Sequence, residues 1–245
     1  MECHSPELDH ERRFHPSVSV VEAFLSAVGP FTEPRRYELG YPHAFTRTTY
    51  FDTEELSLLS SRGTGSAQRL RLREYAGAVD LAQPPVLTGQ RFLEVKVTSG
   101  ERRMKSRCPL SGVEAEALLS GAPLPEASVA AELVRRLTPA PVKPMVTAWY
   151  RRVTRVTSDE RVRITLDEDL TFALPPAPGE PAAPTRLLQR APSALLEVKW
   201  QARLPYWLER AFVPLMACET HGSKFEEGMR ALFGGALPLP LSKAR

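Results

Sequence analysis

Gln68-Arg-Leu-Arg-Leu-Arg-Glu-Tyr75 alternates basic and apolar side chains from Arg69 to Arg73. Successive side chains of an extended strand point to opposite faces. Arg69, Arg71 and Arg73 therefore share one face, and Leu70 and Leu72 take the other. The same sorting applies to Arg161-Val-Arg-Ile-Thr-Leu-Asp-Glu-Asp-Leu-Thr-Phe172. Arg161, Arg163, Thr165, Asp167, Asp169 and Thr171 fall on one side, against Val162, Ile164, Leu166, Leu170 and Phe172. Strands expected over 92–98 and 194–200 add Glu94 with Lys96, and Glu197 with Lys199, each within a Leu-Glu-Val-Lys run.

Around these strands the chain punctuates itself. Val18, Val21, Phe24, Leu25 and Val28 recur at helical spacing, and Gly29-Pro30 ends that helix. Residues 45–52 are β-branched and aromatic, hence a strand, and 54–62 read as a short helical turn. Gly63 to Ser66 reads as a flexible turn, and 76–90, rich in Gly, Ala and Pro, as a long hairpin loop. Ser111-Gly-Val-Glu114 is a capping box that opens a helix, and a second helix is expected over 127–137. A strand over 145–157, a proline-rich loop over 175–184, and helices near 205–213 and 223–233 complete the pattern. The tail from Gly234 is expected to be disordered.

A sheet with one wet face would mix Lys, Glu, Ser, Thr and Gln. Here several strands use Arg as the repeated charge. Like charges side by side destabilise a sheet unless anions sit among them, and the Arg fork suits bidentate contact with phosphate. Glu94, Asp167, Asp169 and Glu197 share the cationic faces. Carboxylates among cations suit a magnesium or manganese ion held jointly with phosphate oxygens. Closing the strands into a barrel would put this polar face inside and leave the apolar face for helices to cover. A single-strand nucleic-acid groove would interleave aromatic residues with the basic ones, and that pattern is missing.

Composition is consistent with this. Of 245 residues, 42% are hydrophobic, enough for a sizeable core, and the net charge is only +3. No bulk basic character points to nucleic acid or to a membrane surface. Cys3, Cys108 and Cys218 lack the spacing of a zinc site or a disulfide framework, so free thiols and a cytoplasmic location are expected. No uncharged apolar run reaches the roughly 18 residues of a membrane span. Met1 to Arg13 carries four carboxylates and does not read as a signal peptide. One domain over residues 1–245 is expected, with its core at about 11–233.

The blocks Thr49-Tyr-Phe-Asp52, Arg71-Leu-Arg73 with Tyr75, Phe92-Leu-Glu-Val-Lys96 and Lys105-Ser-Arg107 follow in order, then Tyr150-Arg-Arg152, Arg161 to Asp167, Leu196-Glu-Val-Lys199 and Ser223-Lys-Phe225. Their order and spacing resemble the polyphosphate-polymerase domain of the vacuolar transporter chaperone complex, within the triphosphate tunnel metalloenzymes of the CYTH-like superfamily. The resemblance runs from about Glu11 to Phe233.

It implies an α+β fold: an eight-stranded antiparallel β-barrel, with a polar tunnel inside and helices outside. It implies phosphate binding by Arg71, Arg73, Lys96, Lys105, Arg107, Arg152, Arg163, Lys199 and Lys224, and metal binding by Glu197, helped by Glu94 and Asp167. Arg71, Arg73, Lys96, Arg152, Arg163 and Glu197 are the catalytic candidates.

Asp9-Xaa-Glu11-Xaa-Arg13 departs from the family by placing Arg13 where relatives carry Lys, and Arg13 and Arg69 complete the phosphate-binding set. The implied activity is transfer of the ATP γ-phosphate onto inorganic polyphosphate with Mn2+ or Mg2+. A triphosphatase, with Glu94 or Glu11 to activate water, and a catalytically silent polyphosphate binder are the alternatives. His221 and Asp52 are further candidates, for the tunnel mouth and for orienting an arginine, and the three Trp are expected to pack helices on the barrel.

Overall fold

A computed structural model describes residues 8–36, 40–61, 66–100, 102–177 and 180–237. The turn expected at Gly63 falls mostly outside these residues, and so does the tail beyond residue 237. The alternating segments are strands, several of them longer than their patterns. In chain order the first half holds β1 (His10–Phe14), α1 (Val18–Val28), β2 (Glu33–Pro34), β3 (His43–Asp52), α2 (Ser57–Ser60), β4 (Ser66–Ala78), β5 (Val86–Ser99), β6 (Arg102–Pro109), α3 (Gly112–Ser120) and α4 (Val129–Leu137). There follow β7 (Lys143–Val156), β8 (Val162–Ala173), β9 (Leu187–Arg190), β10 (Leu195–Trp200), α5 (Tyr206–Phe212), β11 (Glu219–Thr220) and α6 (Lys224–Leu232).

The expected loop over 76–90 is much shorter. His43 pairs with Ala78 and Gly77 with Val86, so ladder pairing overrides the weak strand preference of Gly and Ala. Gly77 is required there, because a Cβ would lie 2.2 Å from the ring of Tyr41.

The expectation of eight strands closed into a barrel needs correction. Among the described residues one antiparallel sheet has eleven strands, ordered β11-β1-β10-β8-β7-β3-β4-β5-β6, with β2 on β7 and β9 on β8. It stays open between β6 and β11. The edge strand β11 offers only two residues for pairing, and β6 presents Lys105 and Arg107 at the opposite edge. The sheet nevertheless curls strongly, and side chains from β1 and β10 share one concavity with side chains from β4, β5 and β6.

Two apolar layers cover the convex face. Val162, Ile164, Leu166, Leu196 and Val198 pack under α1 and α5, against Phe24, Val28, Leu208 and Phe212. Leu70, Leu72, Leu93 and Val95 pack under α3 and α4, against Ala115, Leu118 and Ala130. Each fully buried side chain of this size contributes about 1.5–3 kcal/mol. The helix caps are as expected: Ser111 and Glu114 form a reciprocal capping box.

A third cluster lies on the concave side and reverses part of the parity reading. Asp169 adopts a left-handed backbone, with φ of 54°, at a bulge where three steps along β8 oppose two along β7. The extra residue shifts the alternation. Asp167 faces inward, Asp169 turns to solvent, and Leu170 and Phe172 join Tyr50, Tyr150, Phe225 and Met229. Thr171 lies beside outward-facing Trp149, and its hydroxyl donates to the Asp169 carbonyl. Arg161 also leaves the inner face; its exposed side chain neighbours Asp159.

Trp200 packs against Phe212 and Trp207 stacks on Phe31, as expected of helix packing, whereas Trp149 covers the Arg47 guanidinium at 5.8 Å. Among the described residues Asp52 orients no arginine. Its carboxylate accepts from the backbone N–H groups of Thr53, Leu58 and Leu59 and so fixes α2.

α6 plugs one end of the concavity. Gly228 permits it: a Cβ there would meet Val146 at 3.0 Å and Phe172 at 3.1 Å. Gly228→Val is therefore expected to lower stability by about 1–3 kcal/mol through overpacking. Urea denaturation reads this as a lower midpoint, and an unchanged midpoint would mean that α6 is loosely seated.

Candidate functional site

The concave face encloses a cavity of about 190 Å³, lined by Arg13, Arg69, Arg71, Arg73, Lys96, Lys105, Arg152, Arg163, Lys199 and Lys224 together with Glu94, Glu197, Tyr150 and Thr165. It continues into a second cavity of about 350 Å³, which shares Arg73, Glu94, Lys105, Arg152, Arg163 and Thr165 and adds Arg107. Alternation places these groups: β4 supplies Arg69, Arg71 and Arg73, β5 Glu94 and Lys96, β7 Tyr150 and Arg152, β8 Arg163 and Thr165, and β10 Glu197 and Lys199. Lys224 enters from the first turn of α6, whose Ser223–Glu226 capping box holds that end in place.

All eleven cations expected from sequence thus line one of two joined cavities. Of the three candidate metal carboxylates, Glu94 and Glu197 stand in the wall, and Asp167 lies fully buried behind Arg152 and Lys224. His221 does not line the cavity.

The carboxylates act as struts, each with its own set of cations. Asp167 accepts both Arg152 Nε and Nη2, at 2.6 and 2.7 Å, and lies 2.6 Å from Lys224 Nζ. Glu94 accepts from Arg71 Nε at 2.8 Å and has Lys105 and Arg107 at 3.8 and 3.5 Å. Burial opposes ionisation of Glu94, but Arg71, Arg73 and Lys105 outweigh it and hold the carboxyl down at about 2. Asp167 and Glu197 are also held low against the effect of burial, the first by Arg152 and Lys224, the second chiefly by Lys199 and Arg13.

Glu197 shares its two neighbours with Glu11. Arg13 contacts both carboxylates, and Lys199 Nζ lies 2.9 Å from Glu11 and 3.3 Å from Glu197. Antiparallel pairing builds this quartet by setting Glu11 opposite Lys199 and Arg13 opposite Glu197. Among the described residues no three His, Cys, Asp or Glu side chains converge as a ligand cluster. The donor set that fits a divalent ion is the Glu11–Glu197 pair, because such an ion needs one or two carboxylates and takes its remaining ligands from phosphate oxygens and water.

The sequence reading took Glu11 as a carboxylate to activate water and not as a metal ligand, and it met Tyr150 only as part of a block. Tyr150 is buried, with its hydroxyl 3.2 Å from Arg73 Nη2 and its ring beneath Arg152 and Lys224. Period-two spacing from Arg152 would have placed it on the inner face. Arg73 and Arg163 both line the cavity, and among the described residues their buried Nε atoms have no hydrogen-bond partner.

Two groups of the cavity titrate near neutrality. Burial is the main force on Lys96, and Arg69, Lys199 and Arg13 add to it against Glu11, bringing the ammonium down to about 8. Burial opposes ionisation of Tyr150, but Arg73, Arg152 and Lys224 bring its phenol down to about 8. A bound polyanion favours the protonated form of both. Tripolyphosphate binding should therefore take up protons near pH 8 and weaken as pH rises from about 7 to 9. Calorimetry in buffers of different ionisation enthalpy measures both effects, and Tyr150→Phe should shrink them. Affinity that rises over this interval would contradict these assignments.

The VTC domain family matches residues 18–233. No curated protein matches the sequence. Among solved structures, the PH1819 protein from Pyrococcus horikoshii is similar, with 12% identity and a TM-score of 0.50 over 90% of this chain and 96% of that one. A proposed adenylate cyclase from Bacillus halodurans has 17% identity and a TM-score of 0.49 over 98% and 97% of the two chains. At such identities the likeness to PH1819 concerns the fold alone. The family match runs from α1 through α6 and so covers the elements that build the cationic cavity except β1, which carries Arg13, and the chain belongs to the VTC domain family.

Proposed function

We propose that the protein is a metal-dependent polyphosphate polymerase that transfers the γ-phosphate of ATP to the end of an inorganic polyphosphate chain. The observation that carries this reading is the excess of enclosed cations, ten against the wall carboxylates Glu94 and Glu197.

In the transfer, a terminal oxygen of the acceptor chain attacks the γ-phosphorus as the bond to the β,γ-bridging oxygen breaks, and ADP leaves with that electron pair. Such chemistry needs alignment and charge neutralisation more than a base. Arg152, locked by Asp167, and Arg71, locked by Glu94, are pre-oriented to hold equatorial phosphate oxygens. Arg73 and Arg163 add donors, and Lys224 brings a charge at the α6 N-terminus. Glu11 and Glu197 would hold a manganese or magnesium ion, which would neutralise charge on the phosphate oxygens. Hydrolysis of a triphosphate fits less well, since cations hold Glu94 far below neutrality and so make it a weak base for an attacking water, and Glu11 is engaged by Arg13 and Lys199.

Incubation with γ-labelled ATP and manganese should place label in a long, acid-labile polymer. Label only in orthophosphate would make the protein a hydrolase, and unchanged ATP with polyphosphate retained would make it a binder. Arg163→Ala should lower kcat by about 10² or more, as removal of a pre-oriented donor to developing charge does elsewhere. Glu197→Gln should abolish metal-dependent turnover and leave polyphosphate binding largely intact; surviving activity would refute its place in the metal site.

A further inference from the structure

The two joined cavities differ in chemistry. Beyond the residues they share, the first adds Arg13, Arg69, Arg71, Lys96, Lys199 and Lys224. The second adds only one cation, Arg107, and with it Tyr75, Phe92, Gln90 and Thr154.

Arg107 is built into a shelf. Its guanidinium carbon lies 3.6 Å from the Phe92 ring centroid, and Nη2 donates to the Tyr75 hydroxyl at 3.0 Å. Nε lies 3.5 Å from Glu94, and Tyr75 stands edge-on to Phe92. One face of the guanidinium plane is covered by Phe92, while the side chain remains 41% exposed at the cavity. A plane held in this way suits a flat π-system more than a further phosphate, because stacking on arginine and aromatic faces is how proteins hold bases. Exposed Gln90 supplies an amide at the rim.

We infer that the second cavity is the nucleobase subsite, in which the base of a nucleoside triphosphate stacks on the Arg107–Phe92 shelf while its phosphates run toward the more cationic first cavity. The inference rests on the polymerase reading and adds a polarity to it: the nucleoside enters at one end, and the phosphate chain lies at the other. Stacking is tolerant of base identity, so adenine and guanine nucleotides should bind within a few-fold of each other.

The test compares β,γ-imido-ATP with tripolyphosphate by calorimetry at constant salt and manganese. Phe92→Leu keeps the apolar volume and removes the ring, and Gln90→Ala trims an exposed amide. Phe92→Leu should weaken the nucleotide analogue by up to about tenfold, because the Arg107 plane on which the base stacks loses the ring that holds it flat, with tripolyphosphate affinity changed less than twofold. Gln90→Ala should act in the same direction by a smaller factor. A 2-aminopurine riboside triphosphate should be quenched on binding the wild type and less so on binding Phe92→Leu. Equal losses for both ligands, or none for the analogue, would overturn the base subsite while leaving the polyphosphate reading intact. Failure of the wild type to bind either ligand would overturn both.

Discussion

Like charge gathered on the concave face of a single sheet is the constraint on which the rest of this structure depends. Taking cations out of water costs several kcal/mol each unless they are paired. Four buried or half-buried carboxylates limit that cost, each placed against two or more cations by the strands and, for Lys224, by α6: Glu94 against Arg71, Lys105 and Arg107, Asp167 against Arg152 and Lys224, and Glu11 and Glu197 against Arg13 and Lys199. The carboxylates do not neutralise the cavity. They fix the directions of the guanidinium groups and leave a surplus of charge that a polyanion can satisfy.

The apolar side follows from the same constraint. A sheet that turns its charged face inward must cover its convex face, and two helical layers do so. α6 lies on the concave side. It closes one end with Phe225 and Met229 and delivers Lys224 to Asp167 at that junction. The opposite end stays open and holds the aromatic residues Tyr75 and Phe92.

Much of this was legible in the sequence, because period-two alternation maps directly onto inside and outside. It placed Arg71, Arg73, Lys96, Arg163, Glu197 and Lys199 on one wall before any contact was known. It failed where a backbone event interrupts the period. The left-handed residue Asp169 moves Leu170 and Phe172 to the inner face, and no residue type announces that bulge. Closure was not legible either, since it depends on whether the edge strands find partners, and two-residue β11 was too short to show a pattern. Asp52 resembled an arginine partner in sequence, yet three nearby backbone donors claimed it. Glu11 and Tyr150 acquire meaning only from neighbours on other strands.

The central claim is that the enclosed cations await a chain of phosphates. Anything that binds only the folded state raises its stability by mass action. The most direct measurement is therefore the unfolding temperature against concentration of orthophosphate, pyrophosphate and tripolyphosphate at fixed ionic strength. The account predicts a saturable rise that grows with chain length and is reduced by Arg73→Ala. Equal shifts from all three anions and from sulfate, or no shift at all, would contradict it.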